Sequence, residues 1–171
     1  MCYTDSKSQG RLTHAHHSFP GKENECRYRY SCPNGLPHFI DDAATLLGAL
    51  RGMNYTELKA LWRCNDAIAA FNEARARSMD LYRNLTPATL SYERIQYQCM
   101  APGVFEKKHI TYIGEHLRII SGFYGLLRSF DGVTPYRLEM QAHLSVGGQN
   151  GLYGFWGDRL ARQLASKPIS F

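Results

Sequence analysis

Arg118, Arg128 and Arg137 share the stretch 116–140, HLRIISGFYGLLRSFDGVTPYRLEM, with Asp131, Glu139 and several aromatic residues. Buried charges must be paired, so a segment that only filled a core would not hold three arginines and two acids. A purely solvated segment would not hold so many bulky apolar side chains. The stretch is therefore expected to be half-buried and rich in turns. Ser121, Tyr124 and Tyr136 add hydroxyls to it, and Asp158 follows in LYGFWGD. Two chemistries fit these residues. One is an anion clamp, with the guanidinium forks closing on a phosphate or carboxylate. The other is a loop lock, with the same forks held by Asp131, Glu139 or Asp158.

No complete catalytic constellation accompanies them. Ser121 lacks a GxSxG setting, and the nearby His109 and His116 fall on a predicted helix. Zinc-protease, phosphate-loop and dinucleotide fingerprints are all missing from the sequence. Cys64 and Cys99 are expected as small buried hydrophobes. His14, His16 and His17 with Cys26 and Cys32 fit no usual zinc spacing, so neither a metal nor a cofactor is expected. The residues weigh against an enzyme.

The elements that must position the stretch begin at Gly35. Pro37 is expected to open a helix with Asp41 and Asp42 in its first turns and an apolar stripe of Phe39, Ala43, Leu46, Leu47 and Leu50, ending at Gly52. Asn54 and Glu57 have the spacing of a capping box for a second helix carrying Leu58, Leu61 and Trp62. Asn65 can cap a third, over 66–82, with Ile68, Phe71, Arg75 and Met79 near one face. Residues 88–92 and 95–99 alternate as two short strands. Helical spacing returns over 106–117, followed by a strand at 118–121, a turn of helix at 124–127 and an extended piece at 137–140. GLYGFWGDRLARQL closes with a helix turning Leu152, Trp156, Leu160 and Leu164 inward. The fold class is mixed α and β: a single domain with a helical N-terminal half and a small mixed sheet, incomplete at both ends.

A chain of 171 residues, 44% apolar and 20% charged, is long enough for one domain with a substantial core. Its net charge of +5 suggests an acidic partner such as nucleic acid. The first 33 residues hold five of the basic and three of the acidic residues, which leaves +3 for the remainder. No apolar run is long enough for a membrane span, and no secretory signal opens the chain. Five cysteines form no even disulfide framework, so a cytoplasmic location is expected. Nothing in the sequence sets an oligomeric state.

SGFYGLLRSFD, PYRLEM and LYGFWGD, together with GLPHFIDDA at Gly35 and MDLYRNLTPA at Met79, resemble the YaaA family of bacterial peroxide-stress proteins in motif and in order. The likeness runs from Asn34 to about Leu164. Ser129 stands where the family usually has proline, and Arg94 where a glycine is common. Members open with an apolar strand, SPAKKM and an NVDTD-like run before the GLP. Reading the codons of 14–32 one nucleotide further along permits that opening, with a start overlapping His14. Residues 1–33 are accordingly expected to be non-native or disordered, and 34–171 a partial YaaA-like domain. Members also continue past the last helix, so a truncation is expected at ASKPISF.

The resemblance implies a cytoplasmic peroxide-stress protein that binds double-stranded or distorted DNA through its backbone and limits peroxide- and iron-linked damage. LKALWRCNDAIAAF is similar to a degenerate helix-hairpin-helix module lacking the usual hairpin glycines. Its implied DNA-binding residues are Lys59, Arg63, Asn65, Arg75 and Arg77, and an ordinary α-hairpin is the alternative. A second functional reading is an enzyme acting on a nucleotide or other phosphorylated small molecule, clamped by the arginines of the central stretch. A non-functional fragment is the third.

Overall fold

The computed structural model describes residues 32–91 and 107–166. Residues 1–31, the expected strand at 95–99 with Glu93 and Arg94, and residues 167–171 lie outside the described residues. The described residues form seven helices and two small antiparallel sheets, a mixed α and β architecture with its helices leading.

Helix α1, Ile40–Gly52, starts three residues after Pro37 and buries Ala43, Leu46, Leu47 and Leu50, the stripe expected from spacing. Helix α2, Tyr55–Trp62, opens on a complete capping box: Asn54 accepts from Glu57 N–H, and the Glu57 carboxylate accepts from Asn54 N–H. Helix α3, Asp66–Ser78, opens on Asn65, whose side chain accepts from Ile68 N–H. It ends four residues short of Tyr82 and buries Ala69, Asn72 and Ala76. Small residues let α3 lie close against its neighbours, so the expected face of Ile68 and Phe71 points outward instead, with Phe71 61% exposed.

After α3 come β1, Thr86–Pro87, and a short helix α4, Ala88–Ser91, in place of the strand that alternation predicts. Ser91 Oγ donates to the Pro87 carbonyl at 3.1 Å, and Thr89 bonds Ser129, which curls the chain rather than extending it. Helix α5, Lys107–His116, leads into β2, Arg118–Ser121. The expected helical turn at 124–127 is instead β3, Gly125–Arg128, which pairs antiparallel with β2 from Ser121 opposite Gly125 to Arg118 opposite Arg128. Strand β4, Gly132–Val133, pairs with β1, and an isolated parallel bridge joins Gly35 to Asp131. Residues 137–140 take up no strand pairing. The expected single closing helix is two, α6, Gly151–Trp156, and α7, Arg159–Ala165, divided at Gly157 with φ +51°. That break turns Leu164 toward the surface.

Leu46, Leu58, Phe123, Tyr124, Leu127, Leu152 and Trp156 are fully buried in one core shared by the helices and the β2–β3 hairpin. Each such side chain contributes roughly 1.5 to 3 kcal/mol by leaving water. Two glycines make the packing possible. A Cβ on Gly122 would stand 2.7 Å from the Leu138 carbonyl oxygen, and one on Gly125, at φ +71°, 2.9 Å from the Trp156 ring. Ser129 is buried and donates its hydroxyl to the Ile113 carbonyl at 2.7 Å, fastening the end of α5. Cys32 is disulfide-bonded, so the odd cysteine count does not exclude an isolated bond, and Cys64 is a free thiol. No described helix is long and apolar enough to cross a membrane.

Candidate functional site

The polar cluster of the central stretch separates into three places. At the open end of β2–β3, Arg128 Nε reaches the Asp131 carboxylate at 2.9 Å and Arg128 N–H donates to its other oxygen at 2.8 Å. Arg118, opposite Arg128 in the ladder, donates to the Leu117 and Gly114 carbonyls at 2.9 and 3.4 Å. These residues, with His38, Leu36 and Leu164, border a cavity of about 200 Å³. Asp131 is buried, and that burial lifts its carboxyl above the ordinary range despite Arg128, which is half-exposed and therefore screened.

The second place is a hydroxyl network at the closed end. Ser121 Oγ and Tyr136 Oη lie 2.6 Å apart, and Ser121 Oγ accepts from Phe123 N–H at 3.1 Å and Tyr124 N–H at 2.8 Å. Tyr124 Oη meets Thr134 Oγ1 at 2.8 Å and accepts Thr134 N–H at 3.0 Å. Burial raises the Tyr124 phenol. Ser121 thus braces a turn, with its acceptor positions filled by amides.

The third place joins Arg137 and Glu139 to the end of α2. Arg137 donates to the Trp62 carbonyl at 3.5 Å, and Trp62 and Arg137 border a cavity of about 240 Å³ with Arg63, Glu139 and Gln141. Asp158 belongs to none of these places. It pairs with Arg162 on the surface, which holds its carboxyl below the ordinary range.

The α2–α3 hairpin distributes its basic residues just as unevenly. Lys59 Nζ meets Asp66 at 2.7 Å, and the Tyr55 hydroxyl donates to the same carboxylate at 2.8 Å. The Lys59 bond, then the Tyr55 bond, lower the Asp66 carboxyl, and the bond to Asp66 raises Tyr55. Arg75 lies over the exposed Phe71 ring at 4.5 Å, and desolvation lowers it. Arg77 donates to the Met53 carbonyl at 3.0 Å and to the Arg51 carbonyl, while Arg51 donates to Ala76 at 3.0 Å and Met79 at 2.6 Å. Asn65 is occupied as the α3 cap.

Arg63 differs from all of these. It closes α2 in the left-handed region at φ +46°, a conformation that glycine most readily adopts at a helix end. Its side chain is exposed and has no hydrogen-bond or ionic partner among the described residues.

Sequence reasoning missed Arg51, Tyr55 and Trp62 as polar contributors. Arg51 stands in the last turn of α1, where a cation meets carbonyl ends, and that signal could have found it. No local signal marks Trp62. Among the described residues no three His, Cys, Asp or Glu side chains gather to hold a metal ion.

The described residues thus define a mixed α and β protein with an α-hairpin and a central stretch whose polar residues fall into three separate places. The family model for peroxide stress protein YaaA matches residues 19–170, and the chain belongs to that family. It is similar to a UPF0246 protein of Lactiplantibacillus plantarum, 52% identical over 132 residues that are 77% of this chain and 53% of that protein. A UPF0246 protein of Agathobacter rectalis is 51% identical over 132 residues, with the same shares. One from Desulfitobacterium hafniense is 44% identical over 151 residues, 88% of this chain and 60% of that protein. The chain spans about half the length of the curated relatives it matches.

Proposed function

We propose that this member of the peroxide-stress family holds DNA by its phosphate backbone at the α2–α3 hairpin, in the manner of a helix-hairpin-helix, and so limits peroxide- and iron-linked damage. The observation that supports the reading is Arg63. A non-glycine residue in the left-handed region costs roughly 1 kcal/mol or more, and such strain concentrates at functional sites. Here it presents an unpaired guanidinium at the exposed tip of the hairpin. Lys59 stands in the preceding helix and remains 38% exposed beside Asp66, close enough to reach a second phosphate.

Phosphate contacts carry no base information, so duplexes of unrelated sequence should bind alike. Anisotropy titrations across a salt series test this. In the double variant Arg63→Gly with Lys59→Ala, affinity should fall equally for every duplex. The log–log salt slope should drop by about 0.9 for each phosphate that is no longer neutralised. Glycine suits the left-handed position, so the fold is kept while the charge is removed. Unchanged affinity would retire the hairpin from DNA binding.

The enzyme reading finds less support at β2–β3, where Arg118 is tied to its own backbone and Arg128 to Asp131.

A further inference from the structure

Arg118 and Arg128 stand directly opposite each other in the β2–β3 ladder, so both side chains leave the same face of the hairpin. Like charges in that relation disfavour the pairing, and a nearby anion relieves them. The chain supplies one such anion. The Asp131 carboxylate, 3% exposed, accepts from Arg128 Nε at 2.9 Å and from Arg128 N–H at 2.8 Å. Arg118 receives no carboxylate. It is half-buried, its Nη1 donates to the Leu117 and Gly114 carbonyls, and its Nε and Nη2 have no hydrogen-bond partner among the described residues. Both arginines and Asp131 border the cavity of about 200 Å³. Two guanidiniums less one carboxylate leave a single positive charge on its wall, with His38 neutral.

From these observations we infer that the cavity at the open end of β2–β3 is a binding site for a small apolar monocarboxylate, with Arg118 receiving the carboxylate. A planar guanidinium matches a carboxylate through two parallel N–H bonds, and Nε with Nη2 forms the side-on pair that Arg118 has to spare. Leu36, Leu126 and Leu164 supply apolar wall. Leu36 and Leu164 are still 38% and 39% exposed, area that the body of the ligand would cover. The volume falls below the roughly 300 to 1,000 Å³ of pockets for drug-sized ligands, so a short chain fits better than a nucleotide. A phosphomonoester carries a charge of about −1.5 to −2, which exceeds the single positive charge and would crowd Asp131. Asp131 competes with the ligand, because it holds Arg128 for itself. Removing its charge would offer the ligand a second guanidinium. The site lies on other elements than the α2–α3 hairpin and is independent of the DNA reading.

The test titrates hexanoate, its uncharged analogue hexanamide and inorganic phosphate separately into the 171-residue chain labelled with nitrogen-15. The Arg118 Nε–H resonance and the backbone amides of 118–128 are followed. Hexanoate is expected to move them saturably, and hexanamide and phosphate to bind at least tenfold more weakly. Arg118→Gln should weaken the hexanoate response of the amides at least tenfold. Arg83→Gln removes an equal charge from a side chain that is 83% exposed and outside the cavity, and should leave the response unchanged. Asp131→Asn should strengthen binding several-fold. If that buried variant fails to fold, the comparison of Arg118→Gln with Arg83→Gln decides alone. Equal losses in those two would assign the response to net charge and overturn the inference. Hexanamide binding as well as hexanoate, phosphate binding more tightly, or resonances unmoved by every probe would each overturn it too. So would weaker binding by a folded Asp131→Asn variant, which would make Asp131 a holder of the ligand rather than its competitor.

Discussion

The α2–α3 hairpin and the β2–β3–β4 segment both carry charged and polar groups, yet they use them in opposite ways. In the hairpin the ionic and capping partners are close in sequence: Asn54 with Glu57, Asn65 with Ile68 N–H, Lys59 with Asp66. Most of those groups remain wet, so each interaction is screened and modest. In the central segment Asp131, Ser121, Ser129 and Tyr124 are enclosed, and every one is bonded. Burial, rather than charge count, separates these enclosed, bonded groups of the central segment from the water-exposed pairs of the hairpin.

The largest effect separating the two regions should come from aromatic truncation. Trp156→Ala empties the centre of the core under Gly125 and is expected to cost about 3 to 5 kcal/mol in chemical denaturation. Phe71→Ala on the exposed face of α3 should stay within roughly 0.5 kcal/mol. Comparable losses for the two would erase the distinction and make Phe71 a packed residue.

A smaller effect is expected at the Arg128–Asp131 pair. Arg128→Ala strips one donor from a buried carboxylate, but the backbone amide at position 128 still serves its other oxygen. Half-exposure of Arg128 reduces the roughly 3 to 5 kcal/mol of a fully buried pair, and about 2 kcal/mol is expected. Lys59→Ala, which breaks the exposed and screened counterpart, should cost less than Arg128→Ala. Equal costs in denaturation would show the two pairs to be equally buried.

Acid titration distinguishes the regions most finely, because their aspartates shift in opposite directions. Asp66 titrates below the ordinary value near about 3.9, so its contribution is present above that value and is lost as pH falls through its folded pKa. Asp131 titrates above it, so the folded state takes up that proton first. Its burial opposes folding at neutral pH, and falling pH relieves that opposition between its folded value and about 3.9. Carboxyl carbon-13 NMR should show Asp131 titrating first on acidification. The reverse order would break the contrast.

The same contrast explains what can be read from the residues. Asn54, Glu57 and Asn65 act within one helical turn, so spacing alone places the caps and the starts of α2 and α3. The stripe of α1 is legible for the same reason. GLLR reads as helical because leucine and arginine favour helices, but pairing with 118–121 overrides that preference and makes it a strand. The division of the arginines is hidden because their partners are remote. Arg159 meets Asp42 at a separation of 117 residues, and Arg137 meets Trp62 at 75. No local pattern encodes such a meeting. The composition announces a polar cluster, and tertiary packing divides it.

The crossed bonds between Arg51 and Arg77 give the helical region a property that neither helix has alone. Each arginine sits in the last turn of its own helix and donates to carbonyls at the end of the other, where the helix dipole leaves partial negative charge. Two like-charged groups are thereby held side by side without needing a carboxylate for each. Because each of these helix ends is closed by its neighbour's side chain, fraying of one exposes the other. Amide exchange at the two C-terminal turns should then share one opening free energy, so that α1 and α3 come apart as one latch.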